Sequence, residues 1–347
     1  MIPVKGYAAQ NPKAPLAPFK FERRELKPHD VLIDIIYCGV CHSDIHMARD
    51  EWGGAIYPLV PGHEIVGKVN RIGSSVKKFK VGDLAAVGVL VDSCRECSSC
   101  KQGLEQYCEV HWVPTYSGYE MDNKTITYGG YSNQIVTDEN YVLQVPNNLD
   151  RKGIAPLLCA GITTYSPLRH WRVGKGHKIG VVGLGGLGHM AVKFAASFDA
   201  EVTVLSTSNS KQADAKRLGA AHFINTTDEA QLKKAKGQFD FLLNTIAAHH
   251  DINSLVALLK LNGTMIMVGI PPEDPSLSVS GLIGKRRTIA GSMIGGIRET
   301  QEMLNYCAEK NIVSDVEVIA MKDINMAYER MIKGDVRYRF VIDMATL

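Results

Sequence analysis

The chain has 347 residues, of which 45% are hydrophobic and 22% are charged, values that predict a globular protein of one large domain or two. The formal net charge of +3, with no long basic run, argues against nucleic acid or an acidic membrane surface as a partner. No stretch approaches the roughly 20 apolar residues of a membrane span. The first residues also lack the pattern of a signal peptide, so we expect a cytoplasmic location and no membrane contact.

The predicted secondary structure changes in character along the chain. Up to about residue 146, short apolar runs broken by Gly and Pro predict a mostly β region with long loops; they lie at 31–36, 65–69, 84–91 and 141–145. After about residue 155, strands alternate with helices, which predicts a parallel, doubly wound sheet. The predicted strands are 178–182, 201–205, 239–244 and 264–268, and the helices are 189–198 and 211–218. The tail, helical at 325–332 and strand-like at 339–342, is expected to pack on the first domain.

Four cysteines form a compact cluster with the spacing C-x2-C-x2-C-x7-C: Cys94, Cys97, Cys100 and Cys108. Four thiolates in one short loop favour a closed, tetrahedral zinc site of the structural kind. In a reducing compartment, cysteines are more often metal ligands or buried thiols than disulfides. A metal-free loop and an iron–sulfur site remain alternatives. The cluster predicts a metal, but it indicates no particular activity.

A second metal site can be assembled from Cys41, His63 and Cys159. A Cys2His set that leaves the fourth position open is typical of the catalytic zinc in alcohol dehydrogenases. Such a zinc acts as a Lewis acid on an alcohol or an aldehyde. The three residues are far apart in sequence, and a lone Cys or His is often simply buried in the core. The residues alone leave a catalytic metal and a buried core equally open.

Polar neighbours of these ligands suggest further roles. Glu64 is either a fourth metal ligand when no substrate is bound or an outer carboxylate. Asp44 is expected to hydrogen-bond a metal-binding imidazole. Ser43 could take the proton of the alcohol, and His46 could pass it to solvent, since imidazole titrates near neutral pH. The alternative for His46 is an ordinary surface histidine.

A glycine-rich segment follows the predicted strand 178–182 and opens the next helix. Its residues are Gly183, Leu184, Gly185, Gly186, Leu187 and Gly188. This G-x-G-x-x-G pattern in this context predicts a dinucleotide-binding loop, with the pyrophosphate at the helix N-terminus. An ordinary strand-to-helix turn is the alternative.

The end of the next strand bears on the choice of cofactor. NAD enzymes usually place Asp or Glu there to bind the ribose 2′-hydroxyl. This chain instead has hydroxyls and a lysine: Ser206, Thr207, Ser208 and Lys211. A carboxylate would repel the 2′-phosphate of NADP, whereas a lysine attracts it, so the segment favours NADP(H). The alternative is a helix N-cap region with a solvated lysine.

Taken together, the motifs resemble the zinc-containing medium-chain dehydrogenase/reductase superfamily over nearly the whole chain. Within it, the chain is most similar to the cinnamyl alcohol dehydrogenase branch, including its bacterial aldehyde reductases. The features that carry this resemblance are the segment 41–46, Glu64 after His63, the serine-rich turn 206–211 and the segment 291–295.

The resemblance implies a GroES-like, mostly β catalytic domain at residues 1–155 and 293–347, and a Rossmann NADP-binding domain at 156–292. It implies catalytic zinc at Cys41, His63 and Cys159, with Glu64 able to enter the shell. It also implies structural zinc in the cysteine loop, NADP(H), primary alcohols and aldehydes as substrates, and a homodimer joined through the cofactor domains. The nicotinamide contacts that it implies are Thr163, Thr245, Gly269, Ser292, Met293 and Ile294, and Ser43 is placed beside the cofactor ribose.

The chain departs from the plant members of this branch at two positions. They often carry Thr where this chain has Ser43, which keeps a hydroxyl, and Phe near Met293, so the aromatic pocket differs here. A lignin-precursor substrate is therefore not implied. Trp52, Trp112, Leu90 and Met293 are candidate residues of the pocket wall.

Three other functions are alternatives to a zinc alcohol dehydrogenase. A zinc-free quinone or enone reductase of the same fold would not need Cys41, His63 and Cys159. A non-enzymatic, zinc-stabilised redox sensor would not need the proton relay. An NAD-dependent polyol dehydrogenase, with Glu64 as a standing ligand, is disfavoured by the serine-rich turn.

Overall fold

The computed structural model describes residues 1–347. The chain forms two compact units, Met1–Ile162 with Gly295–Leu347, and Thr163–Ile294. Cys159, which the predicted limits assign to the cofactor domain, lies in the first unit of the structure. None of the helices has the length and apolar character that crossing a membrane requires.

The strands, in chain order, are β1 (Ile2–Ala8), β2 (Ala17–Arg23), β3 (Asp30–Val40), β4 (Ile65–Ile72), β5 (Leu84–Val87), β6 (Leu90–Ser93), β7 (Trp112–Pro114), β8 (Gln134–Asp138), β9 (Leu143–Gln144), β10 (Lys178–Val182), β11 (Glu201–Ser206), β12 (His222–Asn225), β13 (Phe239–Asn244), β14 (Leu259–Met267), β15 (Thr288–Gly291), β16 (Val316–Ala320) and β17 (Arg339–Asp343).

The α-helices are α1 (His42–Ala48), α2 (Ser98–Lys101), α3 (Arg151–Ile154), α4 (Ala160–His170), α5 (Gly188–Ser197), α6 (Gln212–Leu218), α7 (Glu229–Ala235), α8 (Ile252–Val256), α9 (Val279–Ile283), α10 (Ile297–Lys310) and α11 (Ile324–Ile332). Short 3-10 turns connect several of them, including one at Glu139–Tyr141.

The first unit is built on a seven-stranded sheet in which β3 pairs with β17, β4 and β8. The pairings of β3 are all antiparallel, and β17 brings the C-terminal tail into this sheet, between β16 and β3. Consecutive residues of β3, such as Val31, Leu32 and Ile33, are buried, because both faces of this central strand are covered. Each such side chain contributes about 1.5–3 kcal/mol through burial.

The second unit contains six parallel strands in the order β12-β11-β10-β13-β14-β15. The strand order reverses between β10 and β13, and ligands of such sheets bind outside the carboxyl ends of the strands at this point. The predicted strand 239–244 coincides with β13, and β14 begins five residues earlier than predicted. The predicted α/β class, a mostly β domain plus a doubly wound parallel sheet, is confirmed.

Candidate active site

The first element of the site is the junction between β3 and α1. Cys41 is the N-cap of α1, and the carboxylate of Asp44 accepts a hydrogen bond from the Cys41 backbone N–H at 2.9 Å. This local capping arrangement satisfies an N–H that the helix leaves unpaired. It also fixes the position from which the Cys41 side chain extends.

Four potential metal ligands from three distant segments meet here. One ligand atom each of Cys41, His63, Glu64 and Cys159 lies within 4.8 Å of all the others. The two sulfurs are 3.9 Å apart, close to the ~3.8 Å edge of a tetrahedron with zinc–sulfur bonds of about 2.3 Å. The structure therefore brings together all the predicted ligands of the catalytic site.

Asp44 determines how His63 presents its ring. Asp44 Oδ1 lies 3.1 Å from His63 Nδ1 and accepts the Gly62 N–H at 3.0 Å, and Oδ2 accepts the Tyr131 hydroxyl at 3.2 Å. A carboxylate only accepts, so the proton of the neutral ring is on Nδ1 and the lone pair is on Nε2. His63 is buried and its Nε2 has no hydrogen-bond partner. An orphaned buried nitrogen of this kind fits a metal ligand.

The two thiols and the imidazole perturb one another. The hydrogen bond shared with Cys159 lowers the pKa of the Cys41 thiol, and the same interaction, together with burial, raises the pKa of Cys159. Burial lowers the pKa of His63, but the carboxylate of Asp44 and the Cys41 thiol more than offset that effect and raise it. These shifts favour a Cys41 thiolate beside a protonated His63, so a metal that binds here would replace the proton on Nε2 and leave the neutral imidazole that coordination requires.

Glu64 is held by Arg339, a residue of the C-terminal strand that belongs to none of the sequence motifs. Its Oε1 accepts a hydrogen bond from Arg339 Nη2 at 2.6 Å, and the same nitrogen donates to the Val40 carbonyl at 2.8 Å. Its Oε2 has no partner. Burial raises the pKa of Glu64 to about 7, although Arg339 opposes the rise. The signal available in the sequence was an arginine at the start of the apolar run 339–342, which is unusual in a buried strand unless the charge is paired.

Gly39 makes room for this carboxylate. A Cβ atom at this position would lie 1.9 Å from Glu64 Oε2. Any side chain here would displace Glu64 from the ligand cluster, so the glycine is required by close approach rather than by backbone conformation.

The predicted relay residues lie on α1. The Ser43 hydroxyl is 3.7 Å from Cys41 Sγ. His46, one turn later, has its Nδ1 2.5 Å from Glu51 Oε2, and its ring stacks on Trp52 with centroids 4.8 Å apart. Ser43 and His46 do not hydrogen-bond each other, so the proton relay that involves them stays a prediction. The other pocket candidates lie at the start of β6 (Leu90), the start of β7 (Trp112) and after β15 (Met293).

The cysteine cluster lies in the loop between the paired strands β6 and β7. Its four sulfurs lie within 4.8 Å of one another, with 3.8 Å between Cys94 and Cys100 and 3.9 Å between Cys97 and Cys108. These separations fit a tetrahedral thiolate site. The backbone N–H groups of Cys100 and Glu109 lower the pKa of the Cys97 thiol. The residues predicted to hold a structural metal therefore form one site.

The glycine loop of the second unit joins β10 to α5. Gly183 has a φ of +89°, which favours glycine. A Cβ atom at Gly188 would lie 2.0 Å from the Gly183 carbonyl oxygen, whereas one at Gly185 would meet nothing within 4 Å. The loop is thus tightly folded on itself at its ends and open at its centre, where the backbone can approach a phosphate.

The serine-rich turn follows β11, the strand next to β10. Lys211 Nζ donates to the Leu184 carbonyl at 3.0 Å, so the lysine lies against the glycine loop. Ser206 is the last residue of β11, and the Ser208 hydroxyl caps the short turn that begins at Asn209. The structure therefore brings the predicted phosphate loop and the predicted ribose-binding turn together.

The remaining predicted cofactor residues follow the carboxyl ends of three parallel strands. Thr245 follows β13 and donates to the Val182 carbonyl at 2.8 Å. Gly269 follows β14 by two residues, and Ser292 follows β15, where its N–H donates to the Met267 carbonyl. Met293 and Ile294 continue from Ser292, and Thr163 is a buried residue of α4. All but Thr163 thus belong to the sheet edge at which dinucleotides bind.

Comparison with known proteins agrees with this architecture. The chain matches the family described as "Alcohol dehydrogenase GroES-like domain" over residues 27–147 and the family described as "Zinc-binding dehydrogenase" over residues 186–309. It is 53% identical to "Aldehyde reductase YahK" of Escherichia coli (strain K12), with 99% of each chain covered.

Two solved structures are similar along their whole length. A cinnamyl alcohol dehydrogenase of Sorghum bicolor (SbCAD4) superposes with a TM-score of 0.96 at 44% identity, covering 99% of this chain and 98% of that one. A cinnamyl alcohol dehydrogenase of Helicobacter pylori, complexed with NADP(H), gives a TM-score of 0.94 at 45% identity, covering 99% of each. The predicted family is confirmed: the chain belongs to the zinc-containing medium-chain dehydrogenase/reductase family, in its cinnamyl alcohol dehydrogenase branch.

Proposed function

We propose that the chain is a zinc-dependent, NADP(H)-dependent oxidoreductase that interconverts primary alcohols and aldehydes. The observation that carries this proposal is the buried cluster of Cys41, His63 and Cys159, in which His63 Nε2 has no protein partner. Two sulfurs and one nitrogen form a ligand set that leaves a position for substrate. A closed set with four thiolates is present separately in the cysteine loop, so the chain has one site suited to chemistry and one suited to stability.

Each residue of the cluster has a definable task in this mechanism. When bound, zinc supplies Lewis acidity to the oxygen of the alcohol or aldehyde, and NADP(H) accepts or supplies the hydride. Cys41, His63 and Cys159 hold the metal, and Asp44 keeps His63 in the tautomer that presents Nε2. We assign to Ser43 the transfer of the alcohol proton and to His46 its release to solvent.

We further propose that Glu64 acts as an exchangeable ligand. One of its carboxylate oxygens is held by Arg339, and the other, Oε2, is buried without a partner among the ligand atoms. A carboxylate with one anchored and one unpaired oxygen can approach a metal when substrate is absent and retreat when substrate binds.

The choice of NADP(H) over NAD(H) rests on the end of β11. No carboxylate stands there to bind a ribose 2′-hydroxyl or to repel a 2′-phosphate. Ser206, Thr207 and Ser208 offer hydroxyl donors, and Lys211 is anchored by the glycine loop. The relative from Helicobacter pylori in complex with NADP(H) supports the same choice.

We propose a cytoplasmic homodimer joined through the second unit. Strand β15 is an edge of the parallel sheet, and an unpaired edge is a ready pairing site for a second copy. Large apolar side chains of the same unit are exposed, among them Ile270 (63%), Val279 (61%) and Ile283 (76%). Light scattering on the purified protein tests the dimer, and Ile283→Lys is expected to weaken it.

The experiment that tests the proposed activity is an aldehyde panel, including benzaldehyde and cinnamaldehyde, assayed with NADPH and with NADH before and after chelation. We expect a preference for NADPH and loss of activity on chelation. Cys41→Ser should abolish aldehyde reduction, whereas Cys307→Ala, which alters a buried cysteine of α10 outside both clusters, should not.

Full activity of Cys41→Ser would favour a zinc-free quinone or enone reductase. Binding of NADPH without any turnover would favour a redox sensor, and a preference for NADH with polyols would favour the third alternative.

A further inference from the structure

Two buried hydroxyl groups, those of Tyr141 and Ser93, form a row of hydrogen bonds that ends at the sulfur of Cys100 in the cysteine loop. Ser93 Oγ is 3.1 Å from Cys100 Sγ and 2.6 Å from the Tyr141 hydroxyl oxygen. Ser93 is 2% exposed and Tyr141 is 3% exposed, so water cannot replace either hydrogen bond. Both residues belong to the first unit.

Which hydroxyl donates and which accepts in this row follows from whether the Cys100 sulfur carries a proton. A thiolate that binds a metal carries no proton and can only accept a hydrogen bond. Ser93 must then donate its single proton to Cys100, and Tyr141 must donate to Ser93. Burial raises the pKa of Tyr141, which keeps the phenol protonated and able to donate. In a metal-free loop with a protonated thiol, no such direction is imposed.

The phenol is also fixed in place by the loop itself. Arg95, which lies between the first two cysteines, places its guanidinium over the Tyr141 ring at 5.1 Å from the centroid. The same guanidinium pairs with Asp92 at 2.8 Å and with Asp138 at 3.0 Å. Tyr141 therefore has a cation on one face of its ring and its hydroxyl in a buried hydrogen bond. Because both contacts fix the side chain, Tyr141 loses little conformational entropy when the loop binds a metal.

The charge of the loop explains why such donors matter. Four thiolates around one divalent cation leave a net negative charge, which is unfavourable where the sulfurs are shielded from water. Backbone N–H groups reach Cys94 from Cys97 at 3.4 Å, and reach Cys97 from Cys100 and Glu109 at 3.5 Å each. Cys100, the buried member of the cluster, interacts with the Arg95 backbone and in addition has a side-chain donor, Ser93, which is itself backed by Tyr141.

We propose that Ser93 and Tyr141 are positioning residues for the cysteine-loop metal, with Tyr141 acting through Ser93 to orient a hydrogen bond onto the Cys100 sulfur. The inference rests on the proposed zinc in this loop. Outer hydrogen bonds of this kind typically change metal affinity by about 10- to 100-fold. The two residues thus extend the metal site beyond its four ligands to strand β6 and to the turn that precedes β9.

The test is the rate at which the holoenzyme releases zinc to an excess of a chromogenic chelator. A Cys97→Ser variant identifies which phase of release belongs to the loop. We expect Ser93→Ala and Tyr141→Phe each to accelerate that phase by about tenfold or more. The double variant should release zinc no faster than Ser93→Ala, because Tyr141 has no route to the sulfur without Ser93. Ser93→Thr, which keeps a hydroxyl, should restore slow release.

A control separates this role from general loosening of the fold. Thr137→Val removes a buried hydroxyl of β8 that has no hydrogen-bond partner and should leave zinc release unchanged. After cobalt substitution, the sulfur-to-metal charge-transfer band of the loop should shift in Ser93→Ala and Tyr141→Phe but not in Thr137→Val. If the unmodified protein holds no loop metal, the proposed structural zinc fails and the inference with it. If the metal is present but both variants release it at the unmodified rate, or their effects simply add, only the inference is overturned.

Discussion

Replacing Asp44 by asparagine tests whether one buried carboxylate both organises the catalytic cluster and supports the fold. Asp44 is fully buried and accepts four hydrogen bonds, two at each oxygen. Asparagine has nearly the same shape but only one accepting oxygen. Its NH2 group must then face two groups that donate in the unmodified protein.

The expected loss of stability follows from these four bonds. If the asparagine oxygen replaces Oδ1, the Tyr131 hydroxyl can turn to accept, but the Cys41 N–H is left unpaired. A buried unsatisfied donor costs about 1–3 kcal/mol, and the retained bonds lose their charge assistance, so we expect about 2–4 kcal/mol in total. The first unit, Met1–Ile162 with Gly295–Leu347, falls in the size range of roughly 150–250 residues, for which 1 kcal/mol corresponds to about 2–4 °C in Tm. The Tm of this unit should therefore fall by roughly 4–16 °C.

Differential scanning calorimetry and zinc titration monitor the two effects separately. Alongside the fall in Tm, zinc affinity at the catalytic cluster should fall by about 10- to 100-fold, because His63 loses the negatively charged partner that orients its ring and makes Nε2 a more basic ligand. Asp34→Asn is the matched control, since that carboxylate on β3 accepts only from the side chains of Asn70 and Gln134. An Asp44→Asn protein with unchanged Tm and unchanged zinc affinity would refute the reasoning.

Three further outcomes are expected. Arg339→Met should lower the free energy of unfolding in denaturant by about 3 kcal/mol, because Glu64 loses its buried partner. Adding Glu64→Gln should recover part of the loss. A double variant that is less stable than Arg339→Met would contradict this. Lys211→Ala should reduce kcat/KM at least about tenfold for NADPH and little for NADH, and equal losses would argue against a 2′-phosphate contact. Burial raises the pKa of Glu139, but the N–H groups of Lys78 and Lys77 more than offset it and lower the pKa overall. A lowered carboxyl pKa stabilises above the unfolded value, so the stability advantage over Glu139→Gln should be fully present at pH 6. It should be lost progressively as the pH falls below the unfolded pKa of about 4.3 and through the lower folded pKa, as measured by pH-dependent unfolding.

The sequence predicted those parts of the site whose chemistry is local. The cysteine loop and the glycine loop each place their functional groups within one short segment, so spacing alone describes them. The strands of the second unit were also predictable, because buried parallel strands are continuous apolar runs between helices. Cys41, His63 and Cys159 needed the resemblance to a family, since nothing in the residues themselves indicates that three distant segments meet.

Asp44 could be predicted as the partner of an imidazole, but Arg339 could not be predicted as the partner of Glu64, because that pairing depends on strand register. The antiparallel pairing of β17 with β3 sets Val341 opposite Gly39, and the Gly39 N–H donates to the Glu64 carbonyl at 2.9 Å. This register places Arg339, 275 residues after Glu64 in sequence, within hydrogen-bond distance of its carboxylate. A shift by one residue would turn the guanidinium to the opposite face of the sheet and leave Glu64 as an unpaired buried charge. The ion pair therefore links the C-terminal strand to the metal ligands, and the tail of the chain is needed for the charge balance of the site as well as for its sheet.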